Sequence, residues 1–215
     1  MSAPAKGGLL ILGDTGLAGA ALMQAARARG LTVTGASRRG EVALDLTDAD
    51  AVARTLSELS PRLIINTAAQ VSLAACEADP GAAWMINARP AALIAGWARM
   101  NDARVVHIST DHFYSGDGRK AHAEADPVVV LNDYARTKYA AEGLALTHAD
   151  TLVVRTNILG LKSATGGSFG EWALGVIRDD AQAKLFDDQF VSLLDIWSFA
   201  EGVLDLGVTV AGGGI

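Results

Sequence analysis

Cysteine is nearly absent from this sequence: Cys76 is the only one in 215 residues. No intrachain disulfide can form, which fits a protein of the reducing cytoplasm. A run of about 18 apolar residues, the length needed to cross a bilayer, is also absent. The apolar stretch at residues 9–12 is too short for the core of a signal peptide. These absences predict a cytoplasmic protein that makes no contact with a membrane.

An excess of positive charge is absent as well. The net charge is −6, and the only adjacent basic pairs are Arg38–Arg39 and Arg119–Lys120. We therefore expect no polyanionic partner such as nucleic acid or an acidic membrane surface. The four histidines, at positions 107, 112, 122 and 148, do not have the spacing of metal ligands, so no metal site is predicted.

Apolar residues are abundant: they make up 50% of the chain, enough for a sizeable core. Short apolar runs alternate with helical patterns from residue 9 onward. We predict strands at 9–12, 31–36, 63–66, 104–109 and 151–155, and helices at 17–29, 48–59, 80–100 and 133–147. This alternation predicts an α/β fold with a doubly wound parallel sheet, the Rossmann architecture.

The alternating pattern loosens after residue 160. We predict one domain over residues 1–160, which contains the sheet, and a small, truncated C-terminal lobe over residues 161–215. Within that lobe a helix is predicted at 169–177, and strand and helix signals mix at 191–206. The last four residues, 212–215, look like an interrupted segment in which a further strand is starting.

A glycine-rich turn, Gly13-Asp14-Thr15-Gly16-Leu17-Ala18-Gly19, follows the first predicted strand and opens the first helix. Glycines permit a tight turn and a close approach of the backbone to a pyrophosphate, and a helix N-terminus offers free N–H groups. A dinucleotide fingerprint requires this placement between strand and helix. An ordinary turn can also be rich in glycine, but the placement favours a cofactor site.

The end of the second predicted strand bears on the choice of cofactor. Ser37, Arg38 and Arg39 lie about 20 residues after the glycine turn, where a carboxylate would bind the ribose hydroxyl of NAD and an arginine suits the 2′-phosphate of NADP. The two arginines therefore favour NADP(H) over NAD(H), although they could also be solvated surface residues. Asp45 could accept a hydrogen bond from the adenine amine, or it could cap the helix that follows.

Tyr134 and Lys138 are four residues apart on a predicted helix and therefore lie on one face of it. A free phenol has a pKa of about 10, and a nearby ammonium favours its ionised form. Such a phenol can exchange a proton with a substrate oxygen while hydride moves at the adjacent carbon. Thr110 follows a predicted strand and could hydrogen-bond the same oxygen, although it could also merely cap a turn.

The order of these motifs resembles the dTDP-4-dehydrorhamnose reductase family of extended short-chain dehydrogenases/reductases. The resemblance covers nearly the whole chain. It rests on the glycine turn, on Tyr134 and Lys138, and on these segments: Asn66-Thr67-Ala68-Ala69, Cys76 to Pro80, Asn87, Ser109-Thr110-Asp111, Arg155-Thr156 and Asp187-Asp188-Gln189.

The resemblance implies a role for each matching position. Thr110, Tyr134 and Lys138 would be the catalytic residues, and the C-terminal lobe would bind substrate. Asp111, Asn157 and Gln189 would face the substrate. The cofactor would be bound by Gly13, Asp14, Thr15, Gly16, Leu17, Ser37, Arg38, Arg39, Asp45, Leu46, Ala68, Ala69, Gln70, Asn87, Tyr134 and Lys138, with Asn87 also open to a purely structural role.

Two positions depart from the family pattern. His112-Phe113-Tyr114 replaces a Tyr-Val-Phe-like stretch, and Asn157-Ile158 stands where a tryptophan usually packs on the sugar. The family's substrate lobe also continues beyond the equivalent of residue 215. Both substitutions concern the sugar pocket and leave the redox residues intact.

The sequence therefore predicts an NADPH-dependent reductase of a keto sugar, in nucleotide-linked form. One alternative is a nucleotide-sugar epimerase or dehydratase, although a dehydratase would want an acid where His112 stands. Another is a non-catalytic cofactor-binding regulatory subunit. A homodimer is possible through the helices predicted at 80–100 and 133–147, which could equally just cover the sheet.

Overall fold

The computed structural model describes residues 7–114, 121–161, 168–185, 187, 190–209 and 212–215. Its centre is a six-stranded sheet in which all neighbouring strands are parallel, in the order β3-β2-β1-β4-β5-β6. The strands are β1 (Leu9–Leu12), β2 (Val33–Ser37), β3 (Val42–Ala43), β4 (Leu63–Asn66), β5 (Arg104–Ile108) and β6 (Thr151–Val154). The order reverses between β1 and β4, as in doubly wound dinucleotide-binding folds, and confirms the predicted fold class.

Helices cover both faces of this sheet. They are α1 (Leu17–Ala28), α2 (Ala49–Leu59), α3 (Leu73–Ala78), α4 (Pro80–Asn87), α5 (Arg89–Asn101), α6 (Asp133–Ala145), α7 (Phe169–Arg178) and α8 (Ile196–Thr209). One core lies between the sheet and helices α1 and α8, and includes Ile11, Ile65 and Phe199. A second core lies between the sheet and helices α2 and α5, and includes Leu10, Ile64 and Ile94. Alternate residues of each buried strand serve opposite cores.

The helix predicted at residues 80–100 is in fact two helices. α4 ends at Asn87, and α5 begins at Arg89 with Pro90 in its first turn. Proline has no N–H to donate to the preceding turn, so one continuous helix cannot pass through this position. The structure also contains three short elements that the sequence did not predict: β3, α3 and a strand β7 (Asn157–Leu159).

The residues after 160 contribute to two different parts of the molecule. β7 pairs in parallel with β8 (Leu193–Asp195) in a separate two-stranded sheet. α8 packs on α1 and the central sheet, although it lies C-terminal of the predicted boundary at residue 160. The division into two domains stays a prediction. Gly214 forms an isolated parallel bridge with Leu152 of β6, where the sequence predicts that a strand is starting.

α7 differs from the other helices in its surroundings. None of its residues is buried, and Phe169, Trp172 and Ile177 are exposed. Ser168 and Glu171 form a capping box at its N-terminus, so local hydrogen bonds rather than core packing define where it begins. In the part of the chain that the structure describes, no helix is long and apolar enough to cross a membrane.

Candidate functional site

The predicted site residues converge at the carboxyl edge of the parallel sheet. The glycine turn follows β1, Ser37 ends β2, Thr67 follows β4 and Ser109 follows β5. Parallel strands bring all these ends to one edge, which is where ligands bind in open α/β sheets. Residues separated by up to about a hundred positions in the chain thereby border one cleft.

The turn between β1 and α1 has the close backbone packing that the glycines predict. Gly13 has a φ of +85°, and a Cβ there would lie 2.8 Å from Thr67 Oγ1 and 2.9 Å from the Ala68 nitrogen. A Cβ on Gly19 would lie 2.7 Å from the Gly13 carbonyl carbon. No side chain among the described residues caps α1 at Gly16, and no acidic residue occupies its first turn. The free N–H groups and positive end of α1 therefore suit a pyrophosphate.

The end of β2 presents the groups predicted to bind the adenosine end of a cofactor. Arg38 and Arg39 are exposed directly after Ser37, whose hydroxyl lies 3.1 Å from that of Thr15. Asp45 accepts hydrogen bonds from the nitrogen and hydroxyl of Thr47, which lower its pKa. Asp45 does not cap α2, because Asp48 does so through the Ala51 nitrogen. That alternative for Asp45 is therefore wrong.

Leu46 and Ala68 take part in the second core rather than standing free in the cleft. Leu46 is buried, and Ala68 is partly buried against the same cluster. Residues of this kind can contact a ligand through apolar side-chain atoms and backbone groups, but not through a hydrogen-bonding side chain. Ala69, next to Ala68, is likewise partly buried at the end of β4.

Asn87 holds the loop after β4 against α6. Its Oδ1 accepts a hydrogen bond from the Gln70 nitrogen at 2.7 Å, while its Nδ2 donates to the Gln70 carbonyl at 3.2 Å and to Thr137 Oγ1 at 3.0 Å. The side chain is 1% exposed, so these contacts use its hydrogen-bonding groups within the protein. Of the two predicted roles for Asn87, the contacts favour the structural one.

Thr110 and Tyr134 come together as the sequence predicts. Thr110 is buried after β5, and its hydroxyl lies close enough to the Tyr134 phenol, in the first turn of α6, to affect the pKa of that phenol. Burial raises the pKa of Tyr134 above its usual value, and Thr110 opposes that rise. We expected Lys138 to favour the phenolate. Burial instead raises the pKa of Tyr134, which favours the neutral phenol, the form that can donate a proton.

His112 is a neighbour of Tyr134 for which the sequence predicts no catalytic or binding role, only a departure from the family pattern. Its ring meets the Tyr134 ring edge-on, with centroids 5.8 Å apart and an interplanar angle of 87°. The His112 nitrogen also donates to Thr110 Oγ1 at 3.2 Å. Its position directly after Ser-Thr-Asp was the signal in the sequence, because that segment leaves the sheet beside α6, which carries Tyr134.

Lys138 lies one helical turn beyond Tyr134 and is 2% exposed. Its Nζ donates a hydrogen bond to the Ile108 carbonyl at 2.6 Å. Burial lowers the pKa of Lys138 to about 8, and the negative charge of Glu142 opposes that shift. The ammonium is thereby fixed at the end of β5, beside the predicted position of the reaction.

Glu142 organises a buried network behind Lys138 that sequence reasoning missed. Its Oε1 accepts from Ser109 Oγ at 2.5 Å, and its two oxygens accept from the Arg155 guanidinium, the shortest distance being 2.7 Å. Arg155 also donates to the Tyr114 hydroxyl at 2.6 Å. The network ties β6, α6 and the segment after β5 together. The spacing of Lys138 and Glu142, four residues apart on α6, was the signal in the sequence.

The residues predicted to face substrate are only partly described. Asn157 at the start of β7 donates from Nδ2 to Asp111 Oδ2 at 3.3 Å, so the structure brings these two together. Gln189 lies outside the described residues. Among the residues that the structure describes, no group of three or more His, Cys, Asp or Glu side chains could hold a metal ion.

Comparisons with known proteins show the family and the fold of the chain. Residues 7–206 match the profile of the RmlD substrate binding domain family. The dTDP-4-dehydrorhamnose reductase of Shigella flexneri is 29% identical over 183 residues, which are 85% of this chain and 60% of that protein. The dTDP-4-keto-6-deoxy-D-glucose reductase of Streptomyces niveus is 33% identical over 92% of this chain and 65% of its own.

A solved structure shows the same fold. The dTDP-4-dehydrorhamnose reductase of Bacillus anthracis in complex with NADP superposes with a TM-score of 0.85 at 24% identity, over 97% of this chain and 73% of that one. This chain thus spans about 60% of the length of the Shigella flexneri relative.

Proposed function

Because the chain belongs to the RmlD substrate binding domain family, we propose that it reduces the carbonyl group of a nucleotide-linked keto sugar with NADPH. The observation that carries the proposal is the group formed by buried Thr110, partly buried Tyr134 and buried Lys138 at the carboxyl end of β5. It lies at the same sheet edge as the uncapped N-terminus of α1. The names of the relatives from Shigella flexneri and Streptomyces niveus support the sugar class.

We propose that one set of residues binds the cofactor and another donates the proton. The Gly13–Gly19 turn would hold the pyrophosphate, and Lys138 would hold the nicotinamide ribose. A bound nicotinamide cofactor supplies the hydride. Tyr134, a protonated phenol whose pKa burial raises further, donates the proton to the substrate oxygen while Thr110 hydrogen-bonds that oxygen. Lys138, on the same face of α6, favours the phenolate that remains.

Arg38 and Arg39 support NADP(H) as the cofactor, because a guanidinium binds the 2′-phosphate by charge and by paired hydrogen bonds. The fold itself accommodates this cofactor, since the Bacillus anthracis structure is a complex with NADP. We place Asp111, Asn157 and Gln189 on the sugar side. A cytoplasmic location and a homodimer remain parts of the proposal.

The proposal is tested by following NADPH absorbance with a panel of dTDP- and UDP-linked 4-keto sugars. We expect oxidation by the wild-type chain and a loss of at least about a hundredfold in kcat for Tyr134→Phe, since general acid catalysis contributes about 10²–10⁴-fold. Tyr134→Phe should still bind NADPH. Tyr139→Phe is the matched control, because Tyr139 is 46% exposed on the same helix, and it should keep full activity.

The alternatives give different results in the same assay. An epimerase would convert sugars without net consumption of NADPH. A regulatory subunit would bind the cofactor but turn over none of the sugars. Either result, or an unchanged kcat in Tyr134→Phe, would overturn the proposal.

A further inference from the structure

Lys138 carries its charge in a place that is almost closed to water. Its side chain is 2% exposed, and its ammonium donates to the Ile108 carbonyl at 2.6 Å. A carbonyl oxygen has no net charge, so it offsets only part of the cost of burying an ammonium. Burial accordingly lowers the pKa of Lys138 to about 8. A negative charge nearby is what can keep this side chain protonated above neutral pH.

Glu142 supplies that negative charge from the next turn of α6. Its side chain is 1% exposed, and its carboxylate accepts from Ser109 Oγ at 2.5 Å and from the Arg155 guanidinium at 2.7 Å. Among the described residues its ion-pair partner is Arg155 and not Lys138. The carboxylate therefore acts on the ammonium across the protein interior, where charges interact more strongly than in water.

One carboxylate thus serves two cations. The Arg155 side chain is 6% exposed, and its hydrogen bonds with Glu142 raise its pKa above the usual value. A guanidinium keeps its proton in proteins, whereas a buried lysine can lose it. Removal of the carboxylate would leave two like charges in a space with little water. Lys138 is the one of the two that would give up its proton.

Other titratable groups around α6 do not supply this charge. Burial and the charge of Lys138 lower the pKa of His107, on β5, well below its usual value, so its imidazole is neutral. Tyr134 is a neutral phenol whose pKa burial raises. In the described part of the chain, the pKa of Lys138 responds to Glu142 and to none of the remaining groups on or next to α6. These are Cys76 and Glu77 of α3, Arg89 and Arg99 of α5, Arg104 of β5, Asp111 and His112 after β5, and Asp133, Arg136 and Tyr139 of α6 itself.

Resting on the proposed function, we propose that Glu142 is a positioning residue of the reaction, whose carboxylate, shared with Arg155, keeps Lys138 charged and fixed at the end of β5. When Tyr134 passes its proton to the substrate oxygen it becomes a phenolate, and the ammonium on the same face of α6 stabilises that anion. A neutral amine would not. Turnover therefore falls as the pH rises through the pKa of Lys138, and Glu142 determines at which pH this fall occurs.

The test follows two quantities against pH. One is kcat for NADPH oxidation with the keto-sugar panel. The other is the ¹³C NMR signal of the Lys138 side chain in lysine-labelled protein, assigned by its loss in Lys138→Met. Glu142→Gln keeps the shape and removes the charge. It should lower the pKa of Lys138 and move the fall in kcat to lower pH, both by about one pH unit or more.

Arg155→Gln provides the opposite test, and it carries the experiment alone if Glu142→Gln does not fold. It removes the competing cation and leaves the carboxylate to Lys138. The pKa of Lys138 and the fall in kcat should both move to higher pH. A network that only holds the elements together would not give shifts of opposite sign in the two variants.

Glu201→Gln is the matched control. Glu201 is 52% exposed on α8, where it pairs with Arg29, so the substitution also removes one charge and one ion pair but should change neither quantity. If the pKa of Lys138 is the same in Glu142→Gln as in the wild-type chain, or if it moves without the fall in kcat, the role of Glu142 is refuted while the proposed function stands. If the wild-type chain oxidises NADPH with none of the sugars, both are refuted.

Discussion

At the scale of single residues, burial shifts the two central ionisable groups in opposite directions. It raises the pKa of Tyr134 and lowers that of Lys138 to about 8. Desolvation disfavours the charged form in both cases: a phenolate in the first and an ammonium in the second. At neutral pH the cost to folding therefore falls on Lys138, which is buried as an ammonium, and not on the neutral phenol of Tyr134.

Lys138 allows this cost to be measured through pH. Its pKa in the folded chain, about 8, is below the ordinary value of 10.5, so the unfolded chain binds more protons between these pH values. The contribution of Lys138 to the free energy of unfolding must then rise with pH across that window. Relative to Lys138→Met, the wild-type chain should gain about 1–2 kcal/mol between pH of about 7.5 and 9.5 in urea titrations.

The control is Lys184→Met, because Lys184 is exposed and changes its solvation little on unfolding. It should show no such dependence on pH relative to the wild-type chain. A difference between wild type and Lys138→Met that is flat over this range would contradict the described burial of the ammonium.

At the scale of elements, the junction of β1 and α1 depends on backbone contact. Gly19 in α1 packs on the turn so closely that a Cβ would lie 2.8 Å from Asp14 Cα. The contact is between main-chain atoms, which cannot move aside as a flexible side chain can.

Gly19→Ala should therefore displace the turn. We expect a loss of about 1–3 kcal/mol in the free energy of unfolding, from overpacking, and a loss of dinucleotide affinity by calorimetry. Gly143→Ala, on the exposed face of α6 with open space around its Cα, should instead stabilise by about 0.5–1 kcal/mol. Equal effects of the two substitutions would show that helix propensity, rather than the close contact, determines the outcome at Gly19.

At the scale of the whole molecule, α8 completes one layer of the α/β fold although it lies near the far end of the sequence. Phe199 and Leu204 are buried against the core shared with α1. Arg29, just after α1, forms ion pairs with Glu201 and Asp205 of α8. Without α8, the part of this apolar face that α1 does not cover would be exposed to water.

Phe199→Ala should destabilise the whole chain and not only its last helix. The expected loss is about 3–5 kcal/mol in the free energy of unfolding, with one cooperative transition in urea. Trp197→Ala, two residues earlier and 52% exposed, should change stability by less than about 1 kcal/mol. A separate early transition for α8 in Phe199→Ala, with the sheet intact, would show that α8 is an independent unit.

The sequence alone determined the strand–helix alternation, the parallel sheet, the glycine turn and the spacing of Tyr134 and Lys138. These are local signals: a period of 2 or 3.6, a glycine where φ is positive, and two side chains four residues apart on one helical face. The break at Pro90 also has a local cause, one missing N–H, but the sequence was interpreted as a single helix over residues 80–100, and the structure corrected that prediction.

Only the tertiary structure decided what lies against these elements. It placed α8 on the central sheet, joined Glu142 to Arg155 and Ser109, and turned Asp14 toward Gly35 and Gly40. Each is a contact between segments far apart in the chain, and its partner cannot be read from either segment alone. Burial, and with it the pKa shifts of Tyr134 and Lys138, is likewise a property of the packed molecule, because it depends on how much water the surrounding elements exclude.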